Sequence, residues 1–265
     1  MAKERIWITW LPPEEEGAPA PQEVVVALQK YGHPTGGAPW IDKLEQMAWT
    51  ATGLTLLDTE AADVWLVAGR QRDWERPSVR TGLALAAAMA QGIRGHQFPI
   101  VAVALDGALD PATLPTPLGG ALCLDGSKPA WGIKIGPGLK QLATTAAPEY
   151  RLAVTAEPHI GLWIEVGPRD GAWDGAMFGV SGGNGEITHQ AVGPKEELPS
   201  KTVLEYPMNG IQLTAGGHDY TACALSNRID GETSYYVKID GTPERILFGG
   251  HPGTDDAEAY ILTLV

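Results

Sequence analysis

Residues 63–118 read DVWLVAGRQRDWERPSVRTGLALAAAMAQGIRGHQFPIVAVALDGALDPATLPTPL. The apolar run 64–68 is too short for a helix and is closed by Gly69, so it reads as a buried strand. Polar residues follow. Then Pro77, Ser78 as a side-chain cap, and a run of small residues to position 91 predict a helix. The run 99–105, PIVAVAL, is apolar without alternation, which marks a central strand covered on both faces. Strand, helix and strand in this order make one βαβ crossover of a parallel sheet. Such sheets keep their sites beyond the carboxyl ends of their strands. That places the candidate site in the loop and helix start after the first strand, on Arg70, Arg72, Asp73, Trp74, Glu75, Arg76, Ser78 and Arg80.

Toward the N-terminus, residues 6–10 predict a first strand and 11–22, LPPEEEGAPAPQ, a loop that neither helix nor central strand would accept. Residues 23–31 have an apolar face and stop at Gly32, as a helix does at a C-terminal glycine. A second helix is expected over 40–52, from Ile41, Leu44, Met47 and Ala48, and a brief strand over 54–57. GHPTGG at 32–37 reads as turn chemistry. Residues 122–124 and 132–135 are candidates for a sheet edge, with 130–141 carrying a last short strand and turn. TTAAP at 144–148 reads as a linker, dividing the chain into 1–146 and 147–265.

Beyond it, helical periodicity disappears. Short apolar or alternating runs stand at 151–155, 160–166, 176–180, 187–191, 202–206, 210–214, 220–226, 234–239, 245–248 and 259–265. Turn residues lie between them: GGNG at 182–185, MNG at 208–210, and IDG at 229–231 and 239–241. Strands at this spacing predict an antiparallel β-sandwich or barrel. The fold class is therefore α/β followed by all-β.

The net charge of −13 argues against nucleic acid and anionic membranes as main partners. No apolar stretch is long enough to span a bilayer, and the N-terminus has no apolar signal region, so a cytoplasmic protein is expected. Cys123 and Cys223 stand about a hundred residues apart and fit reduced thiols rather than a metal site. The six histidines show no zinc-ligand spacing, so no metal is expected. His218 and Asp219 with His251, Asp255 and Asp256 are the one set that folding could gather into a metal or acid–base site. No GxSxG elbow occurs. GVSGGNGE at 179–186 lacks the lysine of a phosphate loop and reads as a hairpin turn. The aromatics of the second half read as core or cross-strand pairs.

Residues 5–118 resemble a Toll/interleukin-1 receptor (TIR) domain in pattern. RIWITW at 5–10 stands at the family's first strand and VVALQKYG at 25–32 at the end of its first helix. APWIDKLEQMAWTA at 38–51 matches the second loop and helix, and EAADVWLVAG at 60–69 the acidic approach to the central strand. The most specific matches are RDWERPSVRTGLALA at 72–86, for the aromatic loop and its helix, and FPIVAVALDGALDPATLPTPL at 98–118, for the fourth strand and its Pro-Leu exit. The resemblance implies a flavodoxin-like sheet, and NAD⁺ as substrate or ligand. It also implies partnership with another protein or with itself through this domain.

Active members cleave NAD⁺ with a Glu at the start of the helix after the aromatic loop. Here that helix begins Pro77-Ser78-Val79-Arg80-Thr81-Gly82, and the nearest acid is Glu75. Breaking the nicotinamide–ribose bond builds positive charge on the ribose, which a carboxylate stabilises and an arginine repels. Arg70, Arg72, Trp74, Arg76, Ser78 and Arg80 form the candidate ligand-binding set, with phosphates held by the arginines and the helix N-terminus. The plainer reading pairs these arginines with Asp73 and Glu75 in a solvated loop. Three functions follow: a non-catalytic interaction or nucleotide-sensing module, an NAD⁺-cleaving bacterial effector using Glu75, or an activity carried by the β domain. No cofactor follows from the residues themselves.

Overall fold

A computed structural model describes residues 3–12, 21–144, 146–251 and 259–265. The chain divides into two compact units, Met1–Ala147 and Pro148–Val265. The expected Pro/Glu loop at 11–22 lies outside the described residues except at its ends.

In the first unit, β1 (Ile6–Trp10), β2 (Thr35–Pro39), β3 (Val64–Gly69), β4 (Ile100–Ala104) and β5 (Leu122–Asp125) form one parallel sheet. Its strand order is β2-β1-β3-β4-β5. The helices are α1 (Gln22–Lys30), α2 (Trp49–Leu57), the single turn α3 (Gln71–Trp74), α4 (Pro77–Arg94) and α5 (Ile135–Leu142). Short 3-10 turns stand at Leu44–Gln46, Pro111–Thr113, Thr116–Leu118 and Trp131–Lys134.

All of β3 and β4 is buried, as their unbroken apolar runs require. Ile6, Ile8, Val64, Leu66, Val101, Val103 and Leu124 pack against Val24 and Leu28 of α1 and Ile135 and Leu139 of α5. By alternation Trp65 lies on the opposite face, where its indole N–H donates to Thr9 Oγ1 at 2.9 Å. The pair of helices outside that cluster, α2 and α4, pack against each other. Entry to β3 is fixed by Arg5, whose backbone N–H and guanidinium reach Asp63 Oδ2 at 2.8 and 3.3 Å.

Several expectations are corrected. Residues 54–57 are not a strand but the end of α2, with Thr55 Oγ1 donating to Ala51 O one turn back and Arg94 Nη1 donating to Leu56 O. The expected helix over 40–52 begins only at Trp49, because Met47 takes a positive φ of 53° and breaks the preceding turn. Of GHPTGG, Gly32 stands in a turn with a φ of 80°, but residues 35–37 belong to the edge strand β2, held by pairing with β1 rather than by side chains. Residues 130–141 hold a 3-10 turn and α5 instead of a strand, which also removes 132–135 from the sheet edge. Pro137 falls in the first turn of α5, where no backbone donor is lost. Ser78 is not the cap of α4. Arg76 holds that position and Pro77 opens the helix.

The second unit holds β6 (Tyr150–Glu157), β7 (Gly161–Pro168), β8 (Ala172–Ser181), β9 (Glu186–Pro194), β10 (Met208–Ala215), β11 (His218–Asp230), β12 (Thr233–Asp240), β13 (Arg245–Gly250) and β14 (Ala259–Thr263). They form two antiparallel sheets, β6-β7-β12-β9 and β10-β11-β8-β13-β14. The sheets meet through buried side chains, among them Cys223 of β11 and Tyr235 of β12, whose Sγ and Oη lie 2.9 Å apart. GGNG does not close a hairpin, since β8 and β9 belong to different sheets and the turn carries the chain across. Both IDG turns cross sheets likewise. MNG lies within β10 at a register break beside Gly210, and 202–206 is not a strand.

Candidate functional site

The sheet order reverses between β1 and β3, the position where an open α/β sheet leaves a crevice at its carboxyl edge. The chain fills this position itself. Arg76, the residue before α4, donates through Nη1 to Asp42 Oδ2 at 3.3 Å, in the connection after β2, and through Nη2 to Pro12 O at 3.2 Å, just after β1. Asp73 of α3 lies 3.9 Å from Nη2. One planar guanidinium therefore ties the loops that follow three neighbouring strands, a role its fork of fixed donors suits.

Asp73 is buried, and its carboxylate accepts the backbone N–H of Arg70 at 3.2 Å. That bond closes the single turn of α3. Ser78 Oγ donates to the same Asp42 oxygen at 3.0 Å, so a carboxylate of the chain sits beside the first turn of α4. A negative group is favourable there because that end of a helix exposes unpaired N–H groups. Arg80 donates to Thr113 O, beyond β4, which adds a fourth loop to the assembly. Burial pulls the Arg80 guanidinium down from its ordinary value, and the charge of Glu75 pushes it back up in part.

The sequence candidates thus separate into two groups. Arg76, Ser78, Arg80 and the buried Trp74 are brought together, and the Arg76 and Arg80 guanidiniums and the Ser78 hydroxyl bond to groups of the chain itself. Arg70, Arg72 and Glu75 are exposed, with Glu75 at the surface where α3 ends. Sequence reasoning missed Asp42, and with it the Pro12 and Thr113 carbonyls. Nothing in APWID marks its aspartate unless TGGAP is already known to be a strand. Among the described residues the indole N–H groups of Trp40 and Trp74 and Nε of Arg76 are buried without a hydrogen-bond partner.

A cleft of about 670 Å³ lies away from this cluster, along β5 and α5, lined by Leu109, Cys123, Ile133, Lys134 and Gln141 among others. None of the candidate arginines lines it. Burial and then the charge of Asp110 push the Cys123 thiol up to about 11, so it stays protonated at neutral pH and is no nucleophile. No group of three or more metal-ligating side chains occurs among the described residues. His218 and Asp219 stand exposed on β11, with Asp219 accepting from Thr214 Oγ1 at 2.7 Å, while Asp255 and Asp256 lie outside the described residues. No helix among the described residues is long and apolar enough to cross a membrane. Comparison with protein-family models finds no match for this chain, and comparison with curated proteins finds none either.

Proposed function

We propose that the first unit is a TIR-like, flavodoxin-like module that binds a protein partner without catalysing a reaction, and that the second is a β-sandwich serving it as a specificity element. The observation that carries this reading is the chemistry at the start of α4. No carboxylate stands on its first turns and Arg80 occupies them; Glu75, the nearest acid along the chain, is exposed at the surface, and the Asp42 carboxylate beside Ser78 is paired with Arg76. A positive side chain there opposes the charge that develops on ribose during glycosidic cleavage.

Protein binding is favoured over nucleotide sensing because Arg76 and Arg80 spend their donors on Asp42, Pro12 and Thr113. Phosphates would have to displace these bonds. Four stapled loops make a rigid surface, and rigid surfaces bind at lower entropic cost. The free thiols of Cys123 and Cys223 fit a cytoplasmic location.

The test is nicotinamide release from NAD⁺ at high protein concentration, wild type beside Glu75→Ala. The expected outcome is no release from either. Release by the wild type that vanishes in the variant overturns the reading and makes Glu75 the catalytic acid of an NAD⁺-cleaving enzyme.

A further inference from the structure

The two most exposed large apolar side chains of the described residues, Val203 at 80% and Tyr206 at 81%, stand three residues apart in one loop of the second unit. Residues 195–207 run from β9, at an edge of one sheet, to β10, at an edge of the other. A connection of this length without regular structure is commonly functional. This one is tightly held. Lys195 N–H donates to Glu232 O at 3.0 Å, Glu196 N–H to Glu165 Oε1 at 2.9 Å, and Glu197 N–H to Tyr236 Oη at 3.2 Å. Thr202 Oγ1 accepts from Val192 N at 2.8 Å and donates to Val192 O at 3.1 Å.

Beyond Thr202 the loop is fastened to Asn227, which sits where the β11–β8 register shifts. Asn227 Nδ2 donates to Val203 O at 3.0 Å, and its Oδ1 accepts from Glu205 N at 2.7 Å. Ser226 N–H donates to Glu205 O at 2.8 Å. Immediately after this double anchor, Tyr206 takes a φ of 49°. A bulky residue adopts that conformation only where its surroundings impose it, and such positions gather at binding surfaces. Water gains nothing from a valine and a tyrosine presented in this way, whereas a partner does.

The residues beside the pair identify the partner. The Thr202 hydroxyl is bonded to Val192 and Leu204 is half-buried, while Lys201, Val203 and Glu205 are exposed. Lys201 and Glu205 are exposed, and neither forms an ion pair among the described residues. The order cation, valine, anion is complementary to itself when reversed. We infer that residues 201–206 are a two-fold contact between two copies of this chain. Val203 lies on Val203, Tyr206 covers the apolar centre, and each Lys201 opposes Glu205 of the second copy. A two-fold interface requires this reciprocity. The net charge of −13 on each copy does not prevent it, because at physiological salt the Debye length of about 8 Å damps charges outside the contact.

The full chain is measured by sedimentation velocity from low to high micromolar concentration. A concentration-dependent dimer is expected. Lys201→Glu and Glu205→Lys should each weaken it about tenfold or more, since like charges then face each other twice. The double exchange restores opposite pairs and should return affinity to within about threefold of the wild type. Val203→Ser, at a position already exposed and so harmless to folding, should weaken the dimer without rescue. A monomer at every concentration overturns the inference and leaves the loop to a different protein. So does a dimer that ignores both single reversals, or a double exchange no better than either one.

Discussion

Arg76 joins loops that the chain separates by more than sixty residues, from Pro12 to Asp42 to its own neighbour Asp73. Removing its guanidinium leaves Asp73 buried with a backbone N–H as its remaining hydrogen bond and frees the Pro12 carbonyl. Hydrogen bonds to charged groups contribute about 1.5–3 kcal/mol each, and stranding a fully buried charge costs about 3–5. The pair to Asp73 is long and Arg76 is partly exposed, so Arg76→Ala should lower stability to urea by about 2 kcal/mol. Arg76→Lys should recover less than half, because an ammonium cannot reproduce the planar fork. A loss under about 0.5 kcal/mol for the alanine variant would mean the network is incidental. The arginines were legible in the sequence because strand grammar marks the loop after β3. Asp42 was not, since its role depends on a neighbour distant in the chain and on no local motif.

At the level of elements, the readable parts were those whose side chains decide their state. β3 and β4 announce themselves by apolar runs, and α4 by Pro77 and its small residues. β2 has two glycines and no apolar pattern, so only its pairing with β1 makes it a strand. The glycines and proline of α5 conceal an amphipathic helix whose Gly138 lets Leu122 approach. Two glycines on the packed helices give a contrasting prediction. A Cβ at Gly82 of α4 would come 2.6 Å from Cζ2 of Trp40, a buried ring with little room to move. At Gly53 of α2 it would come 2.4 Å from Sδ of Met89, an unbranched chain that can change rotamer. Alanine gains about 1 kcal/mol of helix propensity over glycine at either site, and overpacking costs about 1–3. Gly82→Ala should therefore lose about 1–2 kcal/mol in urea unfolding, while Gly53→Ala stays within about 0.5 kcal/mol of wild type or exceeds it. The reverse order would show that the Trp40 ring yields and Met89 does not.

Across the whole molecule, the titrating groups divide between the units. On the acid side burial pushes the Asp63 carboxyl up, but the N–H and guanidinium of Arg5 outweigh this and hold it below its ordinary value. Stability from that group is present above the unfolded value near pH 3.9 and is lost as pH falls through the lower folded one. On the alkaline side the second unit is the exposed one. Burial raises Tyr220, Tyr235 and Tyr236 above the ordinary phenol value, with the charge of Glu165 also raising Tyr236, and it pushes Cys223 up to about 11. These groups are neutral when protonated, so the folded state keeps protons that the unfolded chain releases from about pH 8.5 for thiols and about pH 10 for phenols. Their stabilisation is complete below those values and falls as pH rises. In the first unit the one thiol or phenol so raised, among the described residues, is Cys123. Tyrosinate absorbance should accordingly rise in one cooperative step as the second unit opens and its buried phenols ionise. Tryptophan emission, seven of whose nine sources lie before residue 148, should stay largely unchanged through that step. Tyrosine and tryptophan signals moving together would show that alkaline failure begins elsewhere than in the buried phenols and thiol of the β-rich unit.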